Sequence, residues 1–279
     1  MRRTSLGAIV IVGVVSVAFL APSGFDRETL KARGLPRPAY LALGDSLAVG
    51  TGASRADASG YVALFHQFLR SEDDSRYELR AVAKGGATST TLIHEGQLVS
   101  ALDILHHNAD DEPNNDVQVI TIDIGGDDLR TLVRGGAPCE PPASPADPAC
   151  VGAVVQLLAD YRANIATILT QLRAAAGPET RIFVVTVMNP YSGTGGPLDQ
   201  PSDPVIALLN AETQAAAADP WIRAVLVDVF PIFASRAHEL TNLDKPRPDF
   251  HPNDEGYRLM AEAIVKAYRE QVPSGSEGQ

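Results

Sequence analysis

Apolar positions along the chain alternate between two kinds of stretch. Pro38 to Leu43, Tyr77 to Ala83, Val117 to Ile124, Arg181 to Met188 and Ala224 to Val229 are short and nearly continuous in apolar character. Runs of that length and composition suit strands buried on both faces. Between them the apolar residues take helical spacing. Val62, Phe65, Phe68 and Leu69 share one face of a helix opened by Ser59-Gly60. A second helix is predicted over about Thr91 to Leu105. The longest stripe is Val154, Leu158, Tyr161, Ile165, Ile168 and Leu172, stopped by Gly177-Pro178. Asp203-Pro204 reads as an N-cap with proline at the first helical position, opening a helix to about Ala218. Asp254 to Tyr268 is the last helix. Strands alternating with helices predict parallel βαβ units, and so one three-layer α/β/α domain over residues 37–272.

The connections are polar or rich in glycine and proline. Lys84 to Thr90 is a glycine and hydroxyl loop, Asn108 to Asn115 a polar link, and 189–202 and 230–253 two long loops that are expected to wall a pocket. Residues 273–279 read as a disordered tail. At the other end Met1-Arg2-Arg3 precedes a mostly apolar, uncharged stretch from Leu6 to Ala21. It is short for a membrane span of roughly 20 residues. Residues 1–24 are therefore predicted to be a signal peptide, with an uncleaved anchor as the lesser reading. In an exported chain, Cys139 and Cys150 predict one disulfide closing a proline-rich loop. No metal site is expected from two cysteines without histidine at ligand spacing. A net charge of −11 makes nucleic acid and anionic membranes poor partners. The chain is expected to be a monomer.

The chemistry gathers at two distant blocks. Tyr40 to Gly44 is a strand that runs into Asp45-Ser46, and a serine there sits where open α/β sheets bind ligands. The bland alternative is a plain turn with Asp45 or Ser46 capping a helix. Near the far end stands Asp249-Phe250-His251-Pro252, just before the last helix. A serine and a histidine supply nucleophile and base if the fold joins them. The remaining histidines, His66, His94, His106, His107 and His238, lie away from the strand-end glycine loops and read as structural. The elbow Gly-x-Ser-x-Gly of α/β-hydrolases is absent, because Ala48 holds its last position.

These blocks resemble those of the GDSL/SGNH hydrolases, a family of serine esterases and lipases. The resemblance implies a flavodoxin-like parallel sheet of order 2-1-3-4-5. It also implies Ser46 as nucleophile, His251 as base and Asp249 as the orienting acid. The family's usual acid stands three residues before the histidine, whereas Asp249 stands two before. For the oxyanion it implies the backbone N–H groups of Ser46 and Gly86, with Gly85 the adjacent alternative. The family's third donor is an asparagine in Gly-x-Asn-Asp, and here the block reads Gly125-Gly126-Asp127-Asp128. An ionised aspartate accepts hydrogen bonds and donates none. Two arrangements avoid the conflict: a protonated Asp127, or one turned away from the site. The function expected is a secreted ester hydrolase working through an acyl-serine, without metal or organic cofactor. Lipid, short-chain and glycan esters are all open as substrates, with a lean toward small or soluble ones. The alternatives are an O-acetyl esterase or acyltransferase using the same residues, and a catalytically impaired envelope binding module.

Overall fold

The computed structural model of the protein describes residues 38–72, 76–108 and 116–271. The expected leader, the link from Asn108 to Asn115 and the expected tail fall wholly or largely outside them. Five strands form one parallel sheet: β1 (Ala39–Gly44), β2 (Glu78–Ala81), β3 (Val117–Asp123), β4 (Arg181–Val185) and β5 (Ala224–Val227). Their order is β2-β1-β3-β4-β5, all pairs parallel. Because the order reverses at β1, the C-terminal ends of β1 and β3 open a crevice between diverging connections.

Alternation along the strands sends side chains to two cores. Leu41, Leu43, Ile120, Ile122, Ile182 and Val184 face one side. There they meet α3 (Ser89–His94), α4 (Gln97–Asn108), α6 (Pro148–Ala175) and α7 (Asp199–Ala217). Tyr40, Ala42, Val119, Phe183 and Val185 face the other, against α2 (Tyr61–Glu72) and α8 (Asp254–Gln271). Phe65 is the hub of that second core, with Tyr40, Phe68, Phe183 and Tyr268 around its ring. Truncating so enclosed a ring to alanine costs about 3–5 kcal/mol. Two further short helices, α1 (Ser46–Val49) and α5 (Gly126–Arg130), begin at or just beyond the ends of β1 and β3.

Several boundaries differ from those the pattern predicts. The helix expected over Thr91 to Leu105 is two helices, α3 and α4. They are broken at Glu95-Gly96, where Gly96 has φ +87°. Thr88 starts α3 early through a reciprocal capping box with Thr91. Helix α7 begins at Asp199, not Asp203, and holds Pro204 inside it. Asp203 does not cap, because it accepts from Asn189 Nδ2 at 2.6 Å. The loop before α7 is instead tied to Asp199, whose two oxygens accept the Gly193 and Gly195 N–H groups. The loop expected over 230–253 contains short helical turns and a small antiparallel pair, β6 (Thr241–Asn242) with β7 (Asp249–Pro252). In α6 only the later part of the apolar stripe, from Tyr161 onward, is fully buried. Its first turns carry Cys150 and Val154 to a cavity beside the sheet end.

Candidate active site

Ser46 owes its position to a sharp exit from β1. Gly44 has φ +139°, and a Cβ there would lie 2.5 Å from Asp123 Oδ1, so only glycine fits. Asp45 then caps α1, its Oδ1 accepting the Leu47 N–H at 2.9 Å. That is the turn role expected of it. Ser46 is the first residue of α1 and is buried. Its N–H belongs to the first turn, which has no carbonyl to meet within the helix.

His251 arrives on β7. Asn242 of β6 donates to the carbonyls of His251 and Pro252, both at 3.2 Å, and to that of Gly52 at 2.8 Å. The segment after α1 is tied to the same region. Ser54 donates its N–H and Oγ–H to the two oxygens of Asp254, and Tyr257 donates to the Thr51 carbonyl. Between these ties the His251 Nε2 lies 2.7 Å from Ser46 Oγ. The His251 Nδ1 lies 2.6 Å from Asp249 Oδ1. A carboxylate only accepts, so Nδ1–H donates to Asp249 and Nε2 accepts the Ser46 hydroxyl proton. The unusual spacing of the acid has a simple geometric basis. Residues two apart on an extended strand point to one face, so Asp249 and His251 project together from β7. Of the other histidines, His66 Nε2 is bonded to the Tyr77 carbonyl and His238 Nδ1 to Asp244.

Behind the serine lies a buried acid pair. Asp45 donates its backbone N–H to the Asp123 carbonyl at 3.2 Å, and Tyr61 donates its hydroxyl to Asp123 Oδ1. Burial, opposed by the Leu47 N–H, pushes Asp45 up to about 7. Burial and the neighbouring Asp45 push Asp123 up as well. A second charge in that buried space is costly, and Asp45 and Asp123 are both raised accordingly. Asp128, also raised by burial, accepts the N–H and hydroxyl of Ser89 and so pins the start of α3.

The residues expected to hold an oxyanion sit differently. Gly86 lies in an exposed turn at φ +80° with open space beside it, and it is not among the residues lining the Ser46 cavity. Gly85 has equally open surroundings. Asp127 does line the cavity. It is buried and ion-paired to Arg130, with Nη1 at 2.8 Å from Oδ1. Arg130 also stacks over Phe250, 4.5 Å from its centroid, and Phe250 stacks on His251 at 4.4 Å. Neither Arg130 nor Phe250 was singled out from the sequence. The signal that would find Arg130 is its i,i+3 spacing from an acid at a helix start.

The cavity extends from Ser46 over about 440 Å³. Pro190, Tyr191, Pro197 and Leu198 of the 189–202 loop line it, as expected. The 230–253 loop contributes only Phe250. Most of the far wall is the loop closed by the Cys139–Cys150 disulfide, which is formed, and which brings Pro141, Pro142 and Pro145. Among the described residues no three His, Cys, Asp or Glu side chains group as metal ligands, and no helix is long and apolar enough to cross a membrane.

Known proteins resemble the chain over nearly this whole region. The spore germination lipase LipC of Bacillus licheniformis is 24% identical over 228 residues, covering 82% of this chain and 95% of that protein. Among solved structures, the lipase Lip_vut3 from a goat rumen metagenome superposes with TM-score 0.61 at 20% identity, covering 82% of this chain and 97% of that one. Axe2, an acetylxylan esterase from Geobacillus stearothermophilus, does so with TM-score 0.53 at 16% identity, covering 84% and 95%. At those identities the superpositions establish the SGNH hydrolase fold. The description GDSL-like lipase/acylhydrolase matches residues 42–259, from the strand before Ser46 to the helix after His251. With that match over most of its length, the chain belongs to the GDSL-like lipase/acylhydrolase family.

Proposed function

We propose that the protein is an exported carboxylic ester hydrolase that works through an acyl-serine intermediate. The observation that carries the reading is the continuous chain Ser46 Oγ, His251 Nε2, His251 Nδ1, Asp249 Oδ1, with contacts of 2.7 and 2.6 Å. In the first half-reaction Ser46 Oγ bonds to the acyl carbon while Nε2 takes its proton. The tetrahedral intermediate collapses, the C–O bond to the alcohol breaks, and the alcohol leaves with the proton from Nε2. Water then attacks the acyl carbon, gives its proton to Nε2, and the carboxylic acid departs as Ser46 recovers the proton. Asp249 holds the ring in the required tautomer and stabilises the imidazolium. The Ser46 N–H at the start of α1 is the oxyanion donor this geometry offers, and the Gly86 N–H, implied by the resemblance alone, sits in a turn outside the cavity. Export rests on the basic start and apolar stretch of the leader and on the disulfide.

The cavity supports an apolar acyl chain over an acetyl group. A methylene takes up roughly the volume of a water, about 30 Å³ in a liquid, so a chain on the order of ten carbons is accommodated. Each buried methylene is worth about 0.8 kcal/mol. Within such a panel kcat/KM rises with acyl length to about that point and then levels off. The deciding experiment is labelling with an organophosphonate followed by peptide mapping, alongside a panel of esters of rising acyl length. An adduct on Ser46 and turnover of the panel are expected. No adduct in folded protein would favour the binding module, and a maximum at acetate would favour an O-acetyl esterase.

A further inference from the structure

We propose that Arg130 is a positioning residue whose task is to cancel the charge of Asp127, so that a negative oxyanion can form at Ser46. Asp127 and Ser46 line one cavity, and the Asp127 side chain is only 4% exposed. A lone carboxylate there opposes any negative charge that develops on the reacting carbonyl, and exclusion of water strengthens that opposition. Among the described residues, Arg130 is the only lysine or arginine in the cavity wall. It stands one turn after Asp127 and meets it at 2.8 Å. Its plane is held from the other side by Phe250, which in turn lies on His251. The second acid in the wall, Asp45, is already engaged by the Leu47 N–H.

The pair is unlike the other ion pairs of the same spacing. In Arg236–Glu239 and Arg258–Glu255 the acids are 58% and 46% exposed. Water screens such pairs, and removing one partner changes little. Removing Arg130 leaves a buried charge in the wall of the cavity that Ser46 lines. Among the described residues the guanidinium makes no other side-chain hydrogen bond than the one to Asp127. Its hydrogen bonding is thus directed at that acid, while its plane also rests on Phe250.

The inference rests on Ser46 as the nucleophile, and the test separates the two. Arg130→Gln is expected to lower kcat roughly 10²-fold with little change in KM. Adding Asp127→Asn to Arg130→Gln removes the uncancelled charge and is expected to restore kcat at least about 10-fold over Arg130→Gln alone. Arg130→Lys keeps the cation and is expected to retain most of the activity. The rate of Ser46 inactivation by an organophosphonate, whose adduct mimics the charged tetrahedral state, should follow the same order. Circular dichroism and melting curves confirm that each variant is folded. The idea fails if Arg130→Gln is fully active. It fails equally if the double variant stays as low as Arg130→Gln, or if Arg130→Lys is as damaged as Arg130→Gln. Turnover by Ser46→Ala would instead remove the reading beneath it.

Discussion

The two ends of the Ser46 cavity are built on opposite principles. At one end three side chains, from β7 and α1, are held by directed hydrogen bonds. At the other end prolines, leucines and a disulfide enclose space without directing anything. The first end constrains a reaction coordinate to tenths of an ångström. The second sorts molecules by size and by how much apolar surface they bury. Single-atom changes should therefore be ruinous at the first end and graded at the second.

The sharpest way to break that contrast is at the serine. Ser46→Ala should lower kcat by 10⁴-fold or more while the melting temperature holds, since the hydroxyl supports no core packing. Substantial turnover by the purified variant would remove Ser46 from the chemistry. His251→Ala should fall nearly as far. Asp249→Ala should be roughly 10-fold or more less damaging than His251→Ala, because the acid orients and is about a third exposed, so water replaces it in part. Equal losses in the two variants would make Asp249 as indispensable as the base.

At the apolar end, Cys139→Ser with Cys150→Ser should lower stability by roughly 2–3 kcal/mol. It should also reduce the preference for long over short acyl esters by several-fold, with hydrolysis of short esters largely kept. A uniform loss across all chain lengths would mean that the wall supports the catalytic groups rather than the substrate. The smallest effect concerns the acids behind the serine. Burial holds Asp45 near 7, against an ordinary 3.8. Between about pH 4 and 7 the unfolded chain has lost that proton and the folded chain keeps it, so stability falls as pH rises and flattens above. Asp45→Asn keeps the cap to Leu47 and removes the titration. It should flatten that slope, read from urea midpoints. Parallel curves for the two proteins would show that burial does not raise Asp45.

The directed end was the more legible one. The strand into Ser46 and the block around His251 announce themselves by residue type, because few side chains perform proton transfer to a hydroxyl. The sheet followed from runs such as Val117 to Ile124, which only a two-sided burial explains. Asp249 looked displaced because spacing was compared without knowing that its segment is extended. Once β7 is a strand, a gap of two is what a shared face requires. The hidden β6–β7 pair is too short for an alternation to stand out. The start of α7 was misplaced because Asp203-Pro204 has the form of a cap, while its carboxylate is taken by a distant Asn189. The apolar wall was illegible for a deeper reason. A proline-rich loop looks the same whether it faces water or a cavity, and only the disulfide and the overhang of α6 decide where it folds back.

The ties between the segment after Ser46 and the start of α8 carry a consequence for the protein's life before it is complete. The two reacting groups lie 205 positions apart, so at about 5–20 residues per second roughly ten to forty seconds of synthesis separate them. Through that interval the serine has no base. It gains one only when Asp254 and Tyr257 bring the last helix against Ser54 and Thr51. If the proposed function holds, a growing chain is thus a silent one until the final element docks.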